Sequence, residues 1–323
     1  MRHDRAVSFR VAFLDDYQDV ALSLSGFPAD VDAVSFADHV DEPSRLIARL
    51  QGFDAVVCMR ERTPVTAPIL DGLPDLKLLI TTGMRNASID VAAARERGVT
   101  VCGTGSGAGR ASTTEHTWAL LMALARNLPA QDAAIRAGGW QRGLGTVLSG
   151  STLGLVGLGK LGAAMVPVAR ALGMHVTAWS TNLTAERAAE VGVEALEHDA
   201  FFAGADVLSV HLVLSERSVA TIGPREFALM KPGVLLVNTS RGPIVDEAAL
   251  VDALYAGRIG GAALDVYDTE PLPGEHPLRT APRTVLAPHT GYVSWSSYRE
   301  YHADVVEDVA AFRAGAPVRE LTP

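Results

Sequence analysis

The chain has 323 residues, 48% hydrophobic and 20% charged, with 28 Lys and Arg against 37 Asp and Glu for a formal charge of −9. That length accommodates about two domains with ordinary cores, and the negative balance argues against broad binding to nucleic acid or to anionic membranes. No apolar stretch is long enough to span a bilayer, residues 1–10 hold no run resembling a signal peptide, and Cys58 and Cys102 lie far apart in apolar runs, as buried free thiols in a reducing cytoplasm would.

In chain order, residues 9–14, 55–59, 76–81 and 99–102 read as apolar strands, and 44–50, 67–73 and 89–97 as helices between them. Strands alternating with helices predict a parallel sheet. The charged run Arg60-Glu61-Arg62 follows one strand, and the loop Gly83-Met84-Arg85-Asn86-Ala87-Ser88 follows the next. Residues 103–109 (G-T-G-S-G-A-G) predict a flexible join. Ser112-Thr113-Thr114-Glu115 has capping-box spacing and predicts the start of a long helix through Arg126.

Residues 152–162 (T-L-G-L-V-G-L-G-K-L-G) organise the second half of the chain. A short apolar strand runs into Gly157, Gly159 and Gly162 in G-x-G-x-x-G spacing, a helix spans 163–172, and a second strand spans 174–179. In such a turn the first glycine permits the sharp bend, the second lets a pyrophosphate reach the backbone, and the third lets helix pack on strand. The helix N-terminus then turns its free N–H groups toward the phosphates. Further strands are predicted at 207–212, 234–239, 262–266 and 284–287, a helix at 246–256, and an amphipathic helix at 297–314 that returns the chain to the first domain.

In doubly wound sheets, ligands bind beyond the carboxyl ends of the strands. Arg241 (N-T-S-R-G), Asp265, Glu270 (D-T-E-P) and His289 (P-H-T-G) all fall at such ends. An arginine fork can hold a carboxylate and polarise a carbonyl. A histidine can exchange a proton near neutral pH, and a carboxylate beside it orients its ring. Taken singly, Arg241 reads equally as a solvated arginine, while Glu270 reads more readily as a turn residue and His289 as a structural histidine. Their order and joint placement favour hydride transfer on a hydroxy or keto acid.

These motifs, with M-K-P-G-V-L-L-V-N-T-S-R-G-P-I-V-D-E-A-A-L and G-A-A-L-D-V-Y-D-T-E-P-L, occur in the order found in one family over nearly the whole chain. The sequence resembles the D-isomer-specific 2-hydroxyacid dehydrogenases, which include phosphoglycerate dehydrogenases, D-lactate dehydrogenases and glyoxylate/hydroxypyruvate reductases. The resemblance implies an α/β protein of two doubly wound parallel-sheet domains. On the same resemblance, a Rossmann nucleotide domain (104–290) is expected to be inserted into a flavodoxin-like substrate domain (1–103 plus 291–323). It implies Arg241, Glu270 and His289 as catalytic residues. The resemblance further implies that Gly157, Gly159, Lys160, Leu161, Gly162, Ser180, His211, Thr239 and Asp265 line the cofactor, with backbone N–H groups around Lys160 and Leu161 on the pyrophosphate and Asp265 near the carboxamide. His211 contributes through its backbone more than its ring, and His116 is given no role.

Two departures are visible. Members that prefer NAD usually carry Asp where this chain has Ser180, and no arginine for a 2′-phosphate lies nearer than Arg187. The expectation is relaxed NAD or NADP use, leaning to NAD. The substrate loop also differs from the family's V-G-x-D-N-like run. Backbone N–H groups at Met84 and Arg85 can still grip a carboxylate, and Arg60 and Arg85 add positive charge for a second anionic group. A solvated loop explains Arg60–Arg62 equally well. The expected activity is an NAD(P)-dependent reductase of 2-keto acids, cytoplasmic, homodimeric and without metal, membrane or nucleic-acid partners. The alternative is an NAD(H)-sensing binding protein of the corepressor type, without turnover.

Overall fold

A computed structural model of the chain describes residues 8–105 and 107–322. Residues 1–7 of the 1–10 segment lie outside them, as does Ser106 of the 103–109 join. In chain order the elements are β1 (Phe9–Phe13), α1 (Ala21–Leu24), β2 (Val31–Ser35), α2 (Pro43–Leu50), β3 (Ala55–Cys58), α3 (Ala67–Asp71), β4 (Leu78–Thr81), α4 (Val91–Glu96), β5 (Thr100–Gly103) and α5 (Gly107–Ala125). Then come α6 (Leu128–Arg136), β6 (Thr152–Val156), α7 (Lys160–Ala171), β7 (His175–Trp179), α8 (Ala185–Ala189), β8 (Glu194–Ala195), α9 (His198–Gly204), β9 (Val207–Val210) and α10 (Pro224–Leu229). The chain finishes with β10 (Leu235–Asn238), α11 (Glu247–Tyr255), β11 (Gly261–Leu264), β12 (Thr284–Leu286) and α12 (Trp295–Arg313). It divides into two compact units, Met1–Gly109 with Val293–Pro323, and Arg110–Tyr292.

The first unit holds a five-stranded parallel sheet in the order β2-β1-β3-β4-β5, the flavodoxin-like arrangement. β3 and β4 are buried at every position, because helices cover both faces of such a sheet and the strands read as unbroken apolar runs. On one face Val305 and Val309 of α12 pack against Val11, Val57 and Ile80. The second unit holds seven parallel strands in the order β12-β11-β10-β9-β6-β7-β8. Counted from β6, this is the doubly wound dinucleotide-binding order with one strand added, and its direction of winding reverses between β6 and β9. Cys58 and Cys102 are both free and buried. Among the described residues no helix is long and apolar enough to cross a membrane.

The start of α5 corrects the sequence reading. The helix begins at Gly107, not at Ser112. Its first amides are satisfied from α12, where the Glu300 carboxylate accepts from Gly107 N (2.8 Å) and Ala108 N (3.0 Å). A carboxylate at a helix N-terminus both fills orphan donors and opposes the helix dipole. The neighbouring Asp304 accepts from Gly105 N at 2.7 Å. The glycine run is therefore largely strand end and helix start, pinned to acidic side chains. Ser112 is freed from capping, and its hydroxyl donates to Gly291 O at 2.8 Å. α7 likewise starts three residues earlier than expected, at Lys160.

His302 of α12 ties pH to stability. It is 1% exposed, Nδ1 lies 2.9 Å from Ser25 Oγ, and the ring packs on Phe13. Burial pushes its pKa down from 6.5 to about 4. The unfolded chain thus takes up this proton first, and the stability tied to the neutral ring is complete above pH 6.5 and lost as pH falls through 4. The loss amounts to about 3 kcal/mol. Denaturant titrations at pH 7.5 and 4.5 should show a smaller acid penalty for His302→Gln than for the parent protein. Equal penalties would contradict this.

Candidate active site

The glycine turn occupies the sheet's switch point, and its three glycines meet three different needs. Gly157 has φ 100° and donates to Trp179 O at 2.8 Å, a left-handed bend that glycine adopts without steric cost. A Cβ on Gly162 would stand 2.3 Å from Gly157 O, so α7 reaches the turn only because that residue has no side chain. A Cβ on Gly159 would meet nothing within 4 Å. Its bareness serves no protein packing and leaves open space at the N-terminus of α7, where Lys160 is exposed and Leu161 half-buried. A small cradle beside free helix N–H groups fits a pyrophosphate.

Ser180 directly follows β7 and is half-buried. Arg187, the nearest arginine to it in sequence, pairs with Glu190. His211 N donates to Val156 O at 2.8 Å, and its ring Nε2 lies 2.8 Å from Ser209 Oγ. Burial pushes that ring down to about 4, so it is neutral near pH 7. Thr239 is buried, with Oγ1 2.8 Å from Thr117 Oγ1 on α5.

Arg241, Glu270 and His289 leave the carboxyl ends of β10, β11 and β12, which are adjacent strands in register. His289 Nδ1 lies 2.5 Å from Glu270 Oε2. The other carboxylate oxygen, Oε1, accepts from Tyr267 N at 3.0 Å. Tyr267 is itself a staple, its buried hydroxyl donating to Ala287 O at 3.0 Å. One loop thus fixes both partners of the pair. Arg241 is presented by Asn238, whose buried side chain donates to Arg241 O (2.9 Å) and accepts from Ser240 N (3.0 Å). A Cβ on Gly242 would stand 2.1 Å from the Tyr267 carbonyl carbon. The arginine turn therefore lies directly on the loop that leads to Glu270.

Asp265 is 1% exposed. Its carboxylate accepts from Thr290 N (2.7 Å) and Gly291 N (2.8 Å), and His116 Nε2 lies 3.1 Å from Oδ1. Asn238, Tyr267 and His116 escape the sequence reading. The first two lie inside quoted motifs, but His116 shows its partner only in three dimensions.

Arg60, Met84 and Arg85 belong to the other unit. Met84 and Arg85 are exposed at the carboxyl end of β4. Asn86 anchors their loop, donating to Arg60 O at 2.6 Å and Thr81 Oγ1 at 2.9 Å. Arg60 Nη1 donates to Thr82 O at 3.2 Å, and its guanidinium lies over the Tyr301 ring at 5.9 Å. Arg62 Nη1 donates to Asp15 O at 2.7 Å. The 60–62 run is thus half-buried and held, not freely solvated.

Fold and glycine turn together define a two-unit α/β protein with a dinucleotide-binding domain. The sequence profile of "D-isomer specific 2-hydroxyacid dehydrogenase, NAD binding domain" matches residues 118–291. D-3-phosphoglycerate dehydrogenase of Archaeoglobus fulgidus is 36% identical over 276 residues, 85% of this chain and 52% of that protein. Glyoxylate reductase of Korarchaeum cryptofilum is 34% identical, over 84% of this chain and 82% of that protein. The crystal structure of a phosphoglycerate oxidoreductase from Vibrio cholerae O395 superposes with a TM-score of 0.89 at 38% identity, covering 95% of this chain and all of that one. The chain belongs to the D-isomer-specific 2-hydroxyacid dehydrogenase family. It spans about half the length of the phosphoglycerate dehydrogenases it matches.

Proposed function

We propose that the protein is an NAD-dependent 2-hydroxyacid dehydrogenase working as a reductase of small 2-keto acids. The observation that carries this reading is the 2.5 Å His289–Glu270 pair at the sheet edge that also bears Arg241. In it Arg241 holds the substrate carboxylate and polarises the carbonyl oxygen. Glu270 takes the Nδ1 side of His289 and leaves Nε2 to give its proton to that oxygen, or to take one from the alcohol in the reverse direction. The nicotinamide, when bound, supplies or accepts the hydride at its C4. Arg60, Met84 and Arg85 are the proposed substrate contacts of the other unit. The test is turnover on a panel of glyoxylate, hydroxypyruvate, pyruvate, phenylpyruvate, oxaloacetate and branched keto acids. Reduction of at least one is expected. None reduced would favour the corepressor-type alternative, for which none of these relatives speaks.

For cofactor choice, Ser180 lacks the charge that would repel a 2′-phosphate, and the pairing of Arg187 with Glu190 removes the nearest cation in sequence that would attract one. The expected outcome is a preference for NADH over NADPH of less than about a thousandfold in kcat/KM, the equivalent of roughly 4 kcal/mol. A larger preference in either direction would contradict it.

A homodimer is the proposed assembly, with a cytoplasmic location supported by the two buried free thiols. Its support is a mixed segment in the second unit with three exposed apolar side chains, Trp140 (73%), Leu144 (99%) and Val147 (74%), which a second copy of the same surface would cover. Light scattering should give a dimer for the parent protein and a monomer for Trp140→Glu/Leu144→Glu. A monomeric parent would contradict the proposal.

A further inference from the structure

We infer that His116 is a positioning residue for His289, acting through Asp265 and the backbone of Thr290 and Gly291. The inference rests on the role proposed for His289. That residue has φ 54°, a left-handed conformation that a non-glycine residue keeps only when its surroundings hold it. The hold is visible. The next two amides, Thr290 N and Gly291 N, are taken one each by the two oxygens of Asp265, at 2.7 and 2.8 Å. The Gly291 carbonyl accepts from Ser112 Oγ of α5 at 2.8 Å. One turn further along α5, His116 Nε2 lies 3.1 Å from Asp265 Oδ1.

A carboxylate accepts hydrogen bonds and donates none, so this contact sets His116 as the donor through Nε2–H. The imidazole braces the clamping carboxylate from the helix, on the same oxygen, Oδ1, that takes Thr290 N at 2.7 Å and a long contact from Thr290 Oγ1 at 3.4 Å. Gly291 completes the fit. A Cβ there would stand 3.1 Å from Asp265 Oδ2 and 3.7 Å from His116 Cδ2, so the backbone comes close to both groups at once. Loss of the brace lets the carboxylate swing away from one of the two amides. His289 then relaxes toward an ordinary backbone conformation, and its ring leaves Glu270 and the edge-on contact with Tyr292.

The experiment uses the full chain and two readouts. The first is independent of turnover: the rate at which diethyl pyrocarbonate modifies His289, followed by mass spectrometry of its peptide. It should rise several-fold in His116→Leu and stay near the parental value in His116→Gln, which keeps an N–H donor. The second is kinetic. With the best keto acid, His116→Leu should lower kcat roughly ten- to hundredfold, the rate equivalent of one hydrogen bond to a carboxylate, with KM changed far less. Combined with Glu270→Gln its effect should be much less than multiplicative, because both changes act through the same ring. An unchanged modification rate in a folded His116→Leu protein would overturn the inference, as would full multiplicativity. Should that variant fail to fold, Ser112→Ala, which loosens the same segment, must raise the modification rate or the inference falls. If the parent reduces no keto acid, the activity reading fails while the modification experiment still decides this one.

Discussion

Replacing His289 with asparagine is expected to lower kcat for keto acid reduction by roughly 10²–10⁴-fold, the usual range for loss of a general acid. Asparagine is the informative substitution because of the backbone. At φ 54° most side chains add strain, whereas asparagine tolerates left-handed geometry. The Asp265 contacts to Thr290 N and Gly291 N can therefore survive the change. Stability and NADH binding should stay close to the parent while the proton donor disappears. Alanine at the same position would mix lost chemistry with a displaced loop. Steady-state kinetics alongside a thermal melt checks this. A variant with at least a tenth of the parental kcat would remove His289 from the proton transfer.

Arg241→Lys is the second change with a large expected effect, a fall of about 10²–10³ in kcat/KM. Lysine keeps the charge but loses the planar fork that can meet a carboxylate in two parallel hydrogen bonds. Hydrogen bonds to charged groups are each worth about 1.5–3 kcal/mol. Losing one outright and weakening the carbonyl contact accounts for that range at about 1.4 kcal/mol per tenfold. The backbone should not move, since Asn238 grips the main-chain carbonyl of residue 241 and Gly242 rests on Tyr267 whatever the side chain. Lysine also forfeits the contact from Nη1 to Ser240 O at 2.7 Å, which aims the guanidinium. Both KM and kcat should suffer, because the fork serves the bound substrate and the developing alkoxide alike. A lysine variant within threefold of the parent would assign carboxylate binding elsewhere.

Strands buried on both faces are legible because their burial is uniform. Residues 55–58 and 78–81 are apolar almost throughout, and helices cover both sides. β2 (V-D-A-V-S) escapes notice for the opposite reason. It is an edge strand, half-exposed, and its short mixed pattern resembles a loop. The G-x-G-x-x-G turn is readable down to the work of each glycine, since a bend, an open approach and a close packing contact are local demands. The start of α5 is misleading in sequence because its cap is Glu300, 193 residues away, while Ser112-x-x-Glu115 offers a local decoy.

The same division runs through the site. The residues proposed to touch substrate from the second unit stand in strand-end motifs and can be nominated from sequence. The residues that aim them are ordinary in sequence. Asn238 shapes a turn, Tyr267 ties a loop to the end of β12, and His116 is one more histidine on a helix until Asp265 is seen beside it.

The most direct test of the account is a crystal structure of the protein with NADH and an unreactive analogue of the keto acid that turns over best. Arg241 should bind the analogue's carboxylate through both terminal nitrogens. His289 Nε2 should lie within about 3.2 Å of the oxygen that replaces the carbonyl, with Glu270 still on Nδ1. An analogue seated on the nicotinamide with that imidazole out of hydrogen-bonding reach would contradict the proposed chemistry.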